Sequence, residues 1–204
     1  MKHKIITFLF VMILIFPIRI NASEKIKVTL DRCVDGDTAV FKVKKESKKT
    51  RFLGVNTPES VKENSPVEPY GKQASNYTCN KLKKAKKIEI EYDPKSNKED
   101  NYGRLLVWVF VDDKLLQKDL VRLGYAEVKY VYNDYLYVDE LKKEEQKAKD
   151  KKLRIWSEEA ILEKQIIKEN PNKNVDKIDL VVQKISNFLN KIIRKVVKRV
   201  KSMI

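Results

Sequence analysis

Histidine is almost missing from these 204 residues: the sole one, His3, lies in the first few positions. Past that point no imidazole is on hand, which excludes Ser-His-Asp hydrolysis, nucleases with a histidine base and His-ligated zinc. Cysteine is scarce too. Cys33 and Cys79 are too few for a cysteine zinc site. Spacing alone leaves their pairing open, because a bridge requires Cα atoms within about 7 Å. Internal repeats are absent, and so is any low-complexity tract beyond lysine-rich stretches. What remains is chemistry on oxygen ligands, with arginine able to handle an anion.

Acid is in deficit, with 29 Asp and Glu against 44 Lys and Arg. Residues 2–4 are basic, residues 5–18 form a nearly unbroken apolar run, and Ala22 offers a small residue at a cleavage point. That run falls short of the roughly 20 residues that span a bilayer. We expect residues 1–22 to be a signal peptide and the protein to be secreted, with retention at the cell surface left open. Removing them leaves 41 basic residues against 29 acidic ones, a net charge of +12. Such a surplus attracts polyanions: nucleic acid or an anionic membrane surface.

Residues 25–30 alternate polar and apolar and predict a strand, and Asp35-Gly36-Asp37 predicts a turn. Residues 40–43 and 50–55 predict two more strands, joined by a charged tip at 44–49. Pro58 ends that ladder. A helix is expected over 70–84, a strand over 88–92, and a buried central strand over 105–111 that turns at Asp112-Asp113. A short helix over 116–123 is closed by Gly124, and a charged helix follows over 139–152, with i,i+4 pairs Asp139–Lys143 and Glu145–Lys149. Five strands and three short helices over residues 23–159 make one α+β domain with a small barrel. Residues 160–174 read as a linker. Residues 175–204 read as a basic amphipathic helix, its apolar stripe running through Ile178, Val182, Ile185, Leu189, Ile192 and Val196.

Three segments carry chemistry: Asp35-Gly36-Asp37-Thr38, then Arg51-Phe52-Leu53-Gly54-Val55-Asn56-Thr57-Pro58-Glu59, then Asn101-Tyr102-Gly103-Arg104. A phosphodiester is anionic and repels hydroxide. Its cleavage needs charge neutralised, a water held in line, and stabilisation of the five-coordinate transition state. Asp37 offers a hard oxygen on a tight turn, and Asn56 and the Thr57 carbonyl offer two more, a set that calcium accepts. Glu59 is placed to orient or deprotonate water, and Arg51 and Arg104 can each fork onto phosphate oxygens. Singly these signals are weak, since Asp-Gly-Asp is common in plain turns. In this order they reinforce one another.

Together they closely resemble the staphylococcal (micrococcal) nuclease family over nearly all of residues 26–158. The resemblance includes Tyr70-Gly71, Lys86-Lys87-Ile88-Glu89, Leu120-Val121-Arg122, Tyr130-Val131-Tyr132 and Ile155-Trp156-Ser157-Glu158. It implies a five-stranded OB-type barrel with three helices. It also implies a calcium-dependent nuclease that cuts DNA and RNA with low sequence specificity and leaves 3′-phosphates. On that resemblance Asp37 and the Thr57 carbonyl are calcium ligands, Glu59 the general base, and Arg51 and Arg104 the transition-state clamps. Tyr102, Tyr130 and Tyr132 line the nucleotide pocket. Two positions depart from the family pattern. Asn56 stands where a second aspartate ligand is usual, and its uncharged amide implies weaker calcium binding. Asn101 stands where a lysine would help hold a terminal phosphate.

The rival reading is an OB-type module that binds nucleic acid without cutting it. Such a binder has no need of Glu59, Arg51 and Arg104 around one metal. Tyr135, Tyr137, Trp108 and Trp156 read as packing residues. For residues 175–204 the expectation is contact with an anionic membrane or cell surface. Self-association, packing on the barrel and added nucleic-acid grip are the alternatives. The catalytic domain itself is expected to be monomeric.

Overall fold

The computed structural model describes residues 24–60, 67–169 and 177–201; the expected signal segment lies outside them. The alternating pattern at 25–30 opens β1, which runs from Lys25 to Asp35, longer than its apolar alternation indicates. Its first half pairs antiparallel with β5 (Ile88–Glu91), Ile26 facing Ile90. Its second half pairs with β2 (Thr38–Val43), and the register slips between Leu30 and Arg32 and again between Cys33 and Asp35. Such irregularities bend a strand sharply, which lets one strand serve two sides of a barrel.

β2 pairs with β3 (Glu46–Phe52), and the expected six-residue tip shrinks to Lys44 and Lys45 at φ 50° and 76°. Positive φ at both central residues is the hairpin geometry that matches strand twist, here without the usual Asn or Gly. β4 is Val55–Asn56. The continuously apolar β6 (Leu105–Val111) lies antiparallel to β5 and parallel to β3, with Thr50 beside Leu105, and this closes the barrel. Five strands, β1, β2, β3, β5 and β6, thus form a closed mixed barrel, as expected. Phe41, Phe52, Ile90, Val107 and Val109 fill its interior, while Trp108 points from the other face of β6 onto Tyr137. β7 (Lys114–Leu115) and β8 (Glu127–Val128) are two-residue additions, and β8 pairs with β4.

Helix α1 (Gly71–Lys84) lies against β1 and is fastened there by a Cys33–Cys79 disulfide, whose Cα atoms are 5.5 Å apart. Helix α2 (Leu116–Arg122) ends before Gly124 at φ 70°. Its buried Gln117 accepts from the Val109 N–H and donates to the Val107 carbonyl, so a side chain extends the β6 ladder. Helix α3 (Val138–Asp150) carries the expected Glu145–Lys149 pair at 2.7 Å. Tyr135 and Trp108 are buried and Tyr137 packs on the core, as the packing reading expects.

The expected linker from residue 160 is instead helical. Helix α4 (Glu158–Glu169) starts where the Ser157 hydroxyl accepts from the Ala160 N–H, two glutamates occupy its first turn, and Ala160 and Ile166 are buried. A capped N-terminus with acids in the first turn and an apolar contact on one face suffices to hold such a helix. Residues 170–176 lie outside the described residues. Helix α5 (Lys177–Lys201) follows and covers most of the expected basic helix.

Candidate functional site

One open cleft of about 660 Å³ gathers Asp37, Arg51, Asn56, Glu59, Tyr102, Arg104, Tyr130 and Tyr132. Of the nine residues named from sequence, Thr57 alone is not on its wall. It sits just behind, buried, with its N–H and hydroxyl 2.8 and 3.1 Å from Asp37 Oδ2.

The turn that presents Asp37 is held from several directions. The Asp35 carboxylate accepts from the Gly36 N–H and from the Ser60 hydroxyl, and the Thr78 hydroxyl of α1 donates to the Gly36 carbonyl. Gly36 admits no side chain there, since a Cβ would stand 2.7 Å from the Thr57 hydroxyl. Burial pushes the Asp35 carboxyl above its ordinary value against the lowering effect of those two donors, and the nearby Asp37 charge adds to the rise. Asp37 itself accepts from the Thr38 hydroxyl at 3.0 Å and lies 3.2 Å from Arg51 Nη2.

Arg51 leaves β3 with its side chain mostly buried. Its Nη1 donates to the Phe52 and Val55 carbonyls, which aims Nη2 at Asp37 Oδ2 and, 3.3 Å away, at Asn56 Oδ1. The two side-chain oxygens assigned to a metal therefore converge on one cationic nitrogen. Asn56 is held from the other side too, where its Nδ2 donates to Glu127 Oε1 at 3.2 Å across the β4–β8 pair. Arg51 can only donate and the Glu127 carboxylate can only accept, so both neighbours dictate the same amide orientation, oxygen toward the cleft. Glu127 has a second partner, Lys129, at 2.9 Å.

Glu59 lies at the cleft rim beyond Pro58. Its N–H donates to Glu68 Oε2 and its carbonyl accepts from the Glu68 N–H. The start of α1 presses on the same carbonyl, and a Cβ on Gly71 would come 2.5 Å from it. Across the cleft the Arg104 side chain donates to Asp100 Oδ2 at 2.7 Å. Burial alone would raise the Asp100 carboxyl. The Arg104 N–H and guanidinium with the Tyr102 N–H outweigh it and hold the carboxyl below its ordinary value. Tyr102, Tyr130 and Tyr132 are 86, 49 and 77% exposed, and Arg51 and Arg104 stand 5.7 and 5.6 Å from the Tyr130 and Tyr102 rings. Exposed aromatic faces beside cationic groups suit stacking on bases next to a phosphate chain.

Asp100, Glu127 and the Asp35–Ser60 pair were not singled out from the sequence. Asp100 had a local signal, an acid four positions before Arg104. Glu127 had none, because it reaches Asn56 only through strand pairing. Among the described residues no group of three or more His, Cys, Asp or Glu side chains gathers as a metal site. The oxygens that face Arg51 Nη2 are instead one carboxylate and one amide.

A profile of the family described as staphylococcal nuclease homologues matches residues 49–158. The chain is 44% identical over 114 residues to "Endonuclease YncB" of Bacillus subtilis (strain 168), covering 55% of this chain and 52% of that protein. It is 45% identical over 137 residues to "SPbeta prophage-derived endonuclease YokF" of the same organism, covering 67% and 46%. It is 36% identical over 125 residues to "Thermonuclease" of Staphylococcus intermedius, covering 61% and 73%. The chain thus spans about half the length of the two Bacillus proteins.

Proposed function

The chain belongs to the staphylococcal nuclease family, and from that premise we propose that it is a secreted calcium-dependent nuclease. It hydrolyses phosphodiesters of DNA and RNA with low sequence specificity and leaves 3′-phosphates. The observation that carries this reading is the convergence of Asp37 Oδ2 and Asn56 Oδ1 on one cationic nitrogen, in the cleft that also holds Glu59 and Arg104.

The fit to a divalent cation is chemical. All the donors are hard oxygens, which calcium accepts, and the two side-chain oxygens already face a positive centre. Asp37, Asn56 and the Thr57 carbonyl would hold the ion. When bound, calcium supplies neutralisation of the non-bridging phosphate oxygens. The rest falls to the protein's own side chains. Glu59 takes the proton of the water whose oxygen attacks phosphorus. The bond from phosphorus to the 5′-oxygen breaks, that oxygen takes up a proton, and the phosphate stays on the 3′ side. Arg51 and Arg104 stabilise the extra charge on the equatorial oxygens, Arg51 turning to phosphate the Nη2 that now lies against Asp37 and Asn56. Tyr102, Tyr130 and Tyr132 stack on bases without choosing among them, which accounts for low specificity.

The Cys33–Cys79 bridge supports the secreted reading, since disulfides persist in oxidising compartments. A purely binding module is less consistent with a carboxylate and two arginines facing one cleft. Mass spectrometry of the products from a DNA and an RNA oligonucleotide tests the proposal. We expect 3′-phosphate and 5′-hydroxyl ends from both. 5′-phosphate ends, or RNA left uncut, would overturn that part of it.

A further inference from the structure

Helix α5 turns its polar side toward the folded domain. Lys191 reaches Glu158 at the start of α4 with a 3.1 Å ion pair, and Glu158, also paired with Lys152, is held down to about 2 by Lys152 and Lys191. The apolar side faces away: Phe188, Ile192, Ile193, Val196 and Val197 are all exposed, Phe188 at 64% and Val196 at 54%. At about 100° per residue these five fall within one half of the helix circumference. Lys191, Arg194, Lys195 and Lys198 occupy the other half. Residues 177–201 carry eight Lys and Arg and a single acid, Asp179. Among the described residues no helix is long and apolar enough to cross a membrane.

These observations sort the candidate occupants. Among the described residues the domain does not cover the apolar side: Phe188, Ile192, Ile193, Val196 and Val197 stay exposed, and the ion pair to Glu158 comes from Lys191 on the polar side. A second copy would bring like charge to like charge, with no acidic flank to offset it as helix pairing requires. Nucleic acid would satisfy the cations and leave the apolar half in water. A sheet of anionic lipid headgroups satisfies both halves at once, with hydrocarbon under the apolar residues and phosphate beside the lysines.

We propose that α5 lies flat on an anionic lipid surface and holds the folded domain there, its cleft supplied with substrate from solution. The proposal does not depend on the catalytic reading, since its readout is partition onto vesicles. The full chain is sedimented with vesicles of phosphatidylglycerol in phosphatidylcholine and with phosphatidylcholine alone. Two variants are compared: Phe188→Gln/Ile192→Gln/Val196→Gln, which keeps charge and helix propensity, and Lys191→Gln/Lys195→Gln/Lys198→Gln, which keeps the apolar half. We expect binding to the anionic vesicles only, reduced about tenfold or more by either variant, with unchanged cleavage of short oligonucleotides. An apolar-side variant that binds as tightly as the parent would overturn the proposal in favour of charge alone. So would equal binding to phosphatidylcholine. A parent that is dimeric without lipid, and monomeric once the apolar side is changed, would assign the face to a second copy instead.

Discussion

Glu127 and Asn56 should behave as one unit, and a charge reversal at Glu127 exposes the coupling. In the parent the Glu127 carboxylate accepts from Asn56 Nδ2 and so turns Oδ1 toward Asp37 and Arg51. Glu127→Lys replaces that acceptor with a donor, which favours the flipped amide and points an NH₂ at the place of the cation. It also adds a positive charge close to the ion. Two unit charges 4 Å apart interact by about 1 kcal/mol in water and about 4 kcal/mol at an effective dielectric of 20. The Glu127 side chain is 26% exposed, so the lower part of that range applies. We expect calcium binding to weaken roughly tenfold to thirtyfold, about 1.4 to 2 kcal/mol. In the Asn56→Asp background only the charge part of that loss remains, because a carboxylate has no donor end to turn toward the ion. The introduced carboxylate has two acceptor oxygens, welcomes the lysine across the strand pair and gives the site a second charged ligand. Glu127→Lys should therefore cost less in the Asn56→Asp background than in the parent, and Asn56→Asp alone, with two carboxylates beside the ion, should bind calcium most tightly of the four. Calorimetric titration of calcium into the four proteins gives the coupling directly, and thermal melts confirm that each is folded. A coupling of about 1–3 kcal/mol is expected for residues in contact. If Glu127→Lys weakens binding equally in the parent and in the Asn56→Asp background, the reasoning about the amide is wrong.

Further outcomes follow from the same geometry. Glu59→Gln, Arg51→Lys and Arg104→Lys should each lower kcat by about 10²-fold or more. Melting curves accompany Arg51→Lys, whose guanidinium also holds two backbone carbonyls. Cys33→Ser/Cys79→Ser opens a loop with a sequence separation of 46 and should cost about 4 kcal/mol in denaturant titrations; an unchanged midpoint would mean that the reduced chain is already as constrained. Gly71→Ala should shift Glu59, cutting kcat more than it lowers Tm, because its Cβ would meet the Glu59 carbonyl. Asp100 is held below the ordinary carboxylate value, so its contribution to stability is complete above the unfolded-state value and is lost as pH falls through the folded one. Asp100→Asn should flatten that acid limb of the stability profile, and an unaltered limb would assign it to other carboxylates.

The motif residues were legible because each lies in a short segment whose chemistry is local: a turn, a strand end, a loop before β6. Eight of the nine named positions then meet on one cleft wall, because β1, β3 and β6 deliver their ends to the same side of the barrel. What was not legible came from two sources. Glu127 lies 71 residues from Asn56 and meets it through β4–β8, strands too short to leave an alternating pattern. The Lys44–Lys45 turn uses positive φ in residues that do not advertise it, so a charged hairpin looked longer than it is. Helix α4 has a modest apolar face, and Ser157 lies within a segment that the family resemblance already accounts for, so its capping role does not stand out in the sequence.

The central claim is that Asp37, Asn56 and Thr57 recruit calcium for a cleavage in which Glu59 accepts the proton. Plasmid DNA incubated with the full chain, with calcium and with a chelator, beside Glu59→Gln under the same conditions, tests it most directly. The account predicts cutting that requires calcium and falls by about 10²-fold in the variant. Cutting that survives the chelator, a variant as fast as the parent, or tight binding of uncut plasmid at every calcium concentration would contradict it.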